Sequence, residues 1–124
     1  MAIENTQVSP AFEQVPGLLD WSFRLLSWDH TVERPEIHHG KVTLDQAGGL
    51  GHRWHYHPEI ELTHFASGEG IRLVGDSIQI VNGPETVLLG SFLPHQWQVG
   101  QSRGVALQFR AGPGSVLGKI PEFR

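Results

Sequence analysis

A chain of 124 residues with nine Lys and Arg against thirteen Asp and Glu, net charge -4, has room for one domain only and no basic run with which to neutralise nucleic-acid phosphates. Cysteine is absent, which excludes disulfide staples and thiolate metal ligands, fits a reducing compartment, and leaves His and carboxylate as the plausible metal donors. The first ten residues lack the basic and hydrophobic regions of a leader, and no window approaches the roughly 18 apolar residues that span a bilayer, so a cytoplasmic protein without membrane or direct nucleic-acid contact is expected.

Fifteen Gly and eight Pro are scattered along the chain, the turn residues of many short strands, and they predict an all-β fold. Ser9-Pro10 predicts a short helix to Gln14, with Ser as its cap, stopped by Pro16-Gly17. The β-prone runs Trp21 to Trp28 and Ile37 to Leu44 predict the first two strands, broken at Arg34-Pro35. A glycine-rich loop from Gln46 to Gly51 then leads into a strand from Arg53 to His57. Beyond Pro58 the strand Ile60 to Ala66 turns at Ser67-Gly68-Glu69-Gly70 and returns as Ile71 to Val74. Ser77 to Val81, Thr86 to Leu89, Gln96 to Val99 and Val105 to Arg110 continue the series at intervals of about ten residues, the cadence of a sandwich or barrel. The expected organisation is a lead-in over 1–18, a barrel over 19–112 and a tail over 113–124.

The chemistry concentrates at His55-Tyr56-His57, followed by Glu61 and bounded by Gly49 and Gly68. Composition alone would produce that spacing with a chance of roughly 5×10⁻⁴. On a strand, alternate side chains share a face, so His55 and His57 project together, and Glu61 keeps their parity across Pro58. Two imidazoles and a carboxylate then converge on one point, either as metal ligands or as a hydrogen-bonded pocket for an organic molecule. The same parity sends His64 outward and Thr63 and Phe65 inward. His30, His38, His39, His52 and His64 are read as surface histidines, Glu59 as a solvated turn residue and Arg72 as a solvated strand arginine. Trp97 is read as either a wall of the pocket or a core residue.

The Gly49, His55, His57, Glu61, Gly68 pattern resembles the first motif of the cupin superfamily at every fixed position. The resemblance implies a single double-stranded β-helix, or jelly-roll, barrel whose strands give three His and one Glu to a divalent metal. It names His95 as the fourth ligand, from a second motif in which Pro84, Gly90, Phe92 and Val99 stand where Gly, Pro, Gly and Asn are expected. The implied site is therefore His55, His57, Glu61 and His95, with Zn, Fe, Mn, Ni, Co or Cu as the metal. The runs from His55 to Thr63 and Gly68 to Ile78, with Leu88-Leu89-Gly90, Leu93-Pro94-His95, Trp97 and Leu107-Gln108-Phe109, are similar to the N-terminal sensor domain of AraC-type transcription regulators. That similarity implies a homodimeric, metal-binding sensor of a small molecule. The alternative is a stand-alone metal-dependent enzyme, dioxygenase- or isomerase-like, using the same open metal positions. A DNA-binding partner domain would require about a hundred more residues after Arg110.

Overall fold

A computed structural model of the chain describes residues 9–12, 23–39, 42–45 and 51–110. In chain order the strands are β1 (Ala11–Phe12), β2 (Phe23–Trp28), β3 (Glu36–His39), β4 (Val42–Asp45), β5 (His55–Tyr56), β6 (Ile60–Ser67), β7 (Glu69–Val74), β8 (Ser77–Asn82), β9 (Glu85–Leu89), β10 (His95–Val99) and β11 (Arg103–Phe109). They form a five-stranded sheet, β1-β5-β10-β7-β8, and a six-stranded sheet, β4-β3-β2-β11-β6-β9. The described residues contain no helix, and so none long and apolar enough to cross a membrane. The all-β expectation holds. What hydrogen bonding defines is two sheets, with no strand pairing that closes them into one barrel among the described residues.

Alternation along the strands puts the core between the sheets. In β2, Arg24, Leu26 and Trp28 are buried while Phe23 and Leu25 are exposed; β6 buries Glu61, Thr63 and Phe65, and β11 buries Gly104, Ala106 and Gln108. The rings of Trp28 and Phe65 meet edge-on at 5.3 Å, and Phe65 meets Trp97 of the opposite sheet at 5.1 Å, so one aromatic line ties the two layers together. Trp28 donates its indole N–H to Ser102 Oγ at 3.0 Å, which satisfies the one polar atom this ring carries into the core. Gly104 is the space that admits the ring, because a Cβ there would lie 2.6 Å from it. Gly68, the glycine that closes the first histidine motif, has φ +127 and sits against Ser102, where a side chain would collide.

Several elements differ from the sequence reading. Ala11–Phe12 is a strand and not helix: it pairs in parallel with β5, and the Phe12 ring packs 5.3 Å from Tyr56. Tertiary pairing here overrides a local capping signal, and Glu13 and Gln14, the rest of the expected helix, lie outside the described residues. The single strand expected from Ile37 to Leu44 is two antiparallel strands, β3 and β4, with His39 opposite Val42. Residues 13–22, 46–50 and 111–124, which include Gly49 and the tail, also lie outside the described residues.

Candidate metal centre

The five-stranded sheet supplies the imidazoles. His55 and His95 are direct partners across β5 and β10, and their ring centroids lie 4.2 Å apart; His57 follows β5 and lies 5.0 Å from His95. All three are 1–2% exposed, and their ligating nitrogens fall within 4.8 Å of one another, a group able to hold a metal ion. Trp97 does both things expected of it: it is part of the buried core and it stands 6.1 Å from His95 at the edge of the cluster.

Each ring is oriented by a backbone carbonyl two residues away. His55 Nδ1 faces the Arg53 carbonyl at 2.7 Å, His57 Nδ1 faces that of Glu59 at 3.1 Å, and His95 Nδ1 faces that of Leu93 at 2.8 Å. A carbonyl only accepts, so Nδ1–H donates in all three and the lone pair of each neutral ring is on Nε2. His95 Nε2 is buried without a hydrogen-bond partner. His57 Nε2 lies 3.1 Å from Glu61 Oε1, which sets a lone pair against a carboxylate unless a proton or a cation stands between them. Both features fit a metal ion as the missing partner.

The six-stranded sheet supplies the carboxylate. Glu61 Oε1 lies 3.1 Å from His57 Nε2 and 3.7 Å from His95 Nε2. Thr63 donates to Glu61 Oε2 at 2.5 Å, and Gln108, its partner across β11, donates to Oε1 at 2.7 Å. Gln108 in turn accepts from Arg24 Nε at 2.6 Å across β2. The amide orientation is forced, since a guanidinium only donates and a carboxylate only accepts. Glu59 is buried, not solvated as the sequence suggested, because Arg24 approaches it at 3.9 Å and Arg110 donates to it at 3.2 Å.

Electrostatics separate the two walls. Burial, reinforced by the neighbouring charge of His95, lowers the pKa of His55 from 6.5 to about 4, so the ring is neutral and competent to ligate at neutral pH. Burial alone would raise the Glu61 carboxyl, but hydrogen bonding to the His57 ring and the positive charge that the His95 and His57 rings carry when protonated hold it well below the usual carboxylate range. Three imidazoles and one carboxylate make a nitrogen- and oxygen-rich site of the type that first-row divalent metals occupy.

Other histidines stay outside. His38 contacts Ser27 Oγ at 2.6 Å, His64 contacts Thr86 Oγ1 at 2.8 Å on the outer face, His30 is exposed, and the side chain of His39 lies outside the described residues. His52 is half-buried near the surface. Arg72 is not a free strand arginine: it pairs with Glu85 and donates to Gln79. Arg24 and Gln108 are the site residues that the sequence reading missed. Each keeps the parity of buried apolar neighbours, Arg24 with Leu26 and Trp28, Gln108 with Ala106, and a polar residue in the core phase of a strand was the available signal. Comparison with models of known families, with curated proteins and with solved structures returned no match for this chain.

Proposed function

We propose that this chain is a cupin domain that binds a divalent metal through His55, His57, His95 and Glu61 and senses a small molecule, in the manner of the ligand-binding domain of AraC-type transcription regulators. The observation that carries the metal reading is the set of three imidazoles pinned through Nδ1 to backbone carbonyls, with a buried carboxylate facing two of them. The cupin reading also draws support from the turn before His95. Phe92 stands where the second cupin motif expects glycine, and its φ of 60 is the left-handed conformation that glycine adopts freely. Sensing is favoured over turnover by burial: with the rings 1–2% exposed, a molecule that reaches the metal must shift the packing around it, and that shift is the signal. A homodimer belongs to the same reading. Its support is the outer face of the six-stranded sheet, where Leu25, Leu107, Leu62 and Leu88 form one row across four adjacent strands.

Elemental analysis of untagged protein tests the centre: about one divalent metal per chain is expected in the wild type and loss of it in Glu61→Ala and His57→Ala. Wild-type protein without stoichiometric metal, after incubation with each of the six candidate ions, overturns the reading. Metal-dependent product formation that vanishes in His55→Ala replaces sensing with catalysis.

A further inference from the structure

A cleft of about 740 Å³ opens on the outer face of the five-stranded sheet, away from the imidazoles. Its floor includes Leu73 and Ile78, partners across β7 and β8, and one wall is the segment His52-Arg53-Trp54. Arg53 and Asp76 both line the cleft, both are exposed, and neither has an ion pair or a side-chain hydrogen bond among the described residues. His52 adds a buried ring nitrogen, Nδ1, with no partner. A volume of this size with apolar surface, one unpaired cation and one unpaired anion is the complement of a small zwitterion that carries an apolar group.

The wall is also joined to the metal centre. Four successive carbonyls of this segment are each held by a different donor: Gly51 by the Trp97 amide at 2.9 Å, His52 by Gln96 Nε2 at 3.0 Å, Arg53 by His55 Nδ1 at 2.7 Å and Trp54 by the Ala11 amide at 3.0 Å. Arg53 thus lines the cleft and orients a metal-site imidazole with its carbonyl. A contact that moves its backbone changes the aim of His55.

We propose that this cleft binds an α-amino acid with an apolar or aromatic side chain, its carboxylate on Arg53 and its ammonium on Asp76, and that occupancy is coupled through the Arg53 main chain to metal affinity at the centre below. The binding half stands by itself, and the coupling half rests on the metal reading. Reciprocity requires the amino acid and the metal to change each other's affinity by one factor.

Calorimetric titration of wild-type protein with L-phenylalanine, L-leucine and L-tryptophan is the test. Binding of at least one is expected, weakened tenfold or more in both Arg53→Ala and Asp76→Ala. For phenylalanine, hydrocinnamate, which lacks the ammonium, and phenethylamine, which lacks the carboxylate, should bind at least tenfold more weakly. Both variants should keep the far-UV circular-dichroism spectrum of the wild type. No heat with any of the three amino acids, equal binding to the two variants, or hydrocinnamate binding as tightly as phenylalanine overturns the site. Equal Co²⁺ affinity with and without saturating amino acid overturns the coupling. Amino-acid binding that depends on Arg53 in a chain that takes up no Co²⁺ supports the cleft while the metal reading falls.

Discussion

The two walls of the metal centre are held in place by different means. The imidazole wall is local: His55, His57 and His95 are each anchored on a carbonyl two residues away. The carboxylate wall is assembled over long distance, since Glu61 is held by Gln108, 47 residues on, and Gln108 by Arg24, 84 residues from it. The first wall therefore depends on the shape of short chain segments, and the second on the register of β2, β11 and β6. Damage to the first should remove metal and leave the sheets standing, whereas damage to the second should reach the fold.

Arg24→Ala is the strongest way to break that comparison. It strips a buried guanidinium from Gln108 and from the neighbourhood of the buried Glu59 carboxylate, and removing one member of a buried charged network costs about 4 kcal/mol. Denaturant unfolding of metal-free protein should show that loss as a lower midpoint with unchanged slope. His95→Ala, measured in parallel, should lose less stability, because its Nε2 is unpartnered and its Nδ1 forfeits a single local bond, to the Leu93 carbonyl, with no charged partner left behind. Equal losses in the two variants would erase the distinction between the walls.

Acid attacks the imidazole wall next. The folded pKa of His55 is below its ordinary value, so the unfolded chain binds the proton first, and stability falls as pH drops from 6.5 to about 4. Those two values correspond to a loss on the order of 3 kcal/mol in the metal-free protein, levelling off below the lower one. Glu61, held below the usual carboxylate range, contributes stability that is present above its unfolded value of 4.5 and lost as pH falls through its folded value. Its loss therefore begins just before that of His55 levels off and continues below it. His55→Gln should flatten the upper part of the profile and leave the lower part. A profile unchanged in that variant would assign the upper loss to another group.

The same division explains what could be read from the chain. The parity of His55, His57 and Glu61, and the inward places of Thr63 and Phe65, follow from strand alternation, which is a local rule. Most of the strand series was legible for the same reason, as glycine and proline punctuate it. The hairpin between β3 and β4 was not, because an apolar and β-prone run on both sides of Gly40-Lys41 reads as one strand until pairing reveals the reversal. Glu59 and Arg24 were misread or passed over because each is buried through a partner in another strand, and no local pattern carries that information. His95 was named through resemblance alone, since its place opposite His55 exists only after β10 has found β5.

Gln108→Ala sharpens the comparison at smaller scale. It leaves Glu61 with Thr63 as a donor but releases the oxygen nearest His57 from its orienting amide. Loss of an outer hydrogen bond to a ligand typically lowers metal affinity 10–100-fold, with the ligand set intact. Competition with a chelator of known affinity measures this directly. An unchanged affinity would mean that the imidazoles alone orient the carboxylate.

The smallest effect should come from the turn that supports the imidazole wall. Phe92 donates its amide to the His57 carbonyl at 2.8 Å, and Ser91 donates its hydroxyl to that of Pro58, so this turn fixes the segment carrying His57. Phe92 holds φ at 60 with its side chain more than half exposed, a conformation costing about 1–2 kcal/mol for any residue with a Cβ. Glycine relieves that strain but gives the unfolded chain more freedom, by about 0.4–1 kcal/mol. Phe92→Gly should therefore raise stability by only about 0.5 kcal/mol and leave metal content unchanged, as read from the denaturation midpoint and from elemental analysis. A marked fall in stability would show that the exposed Phe92 ring, and not its backbone, is what keeps the turn closed over His57.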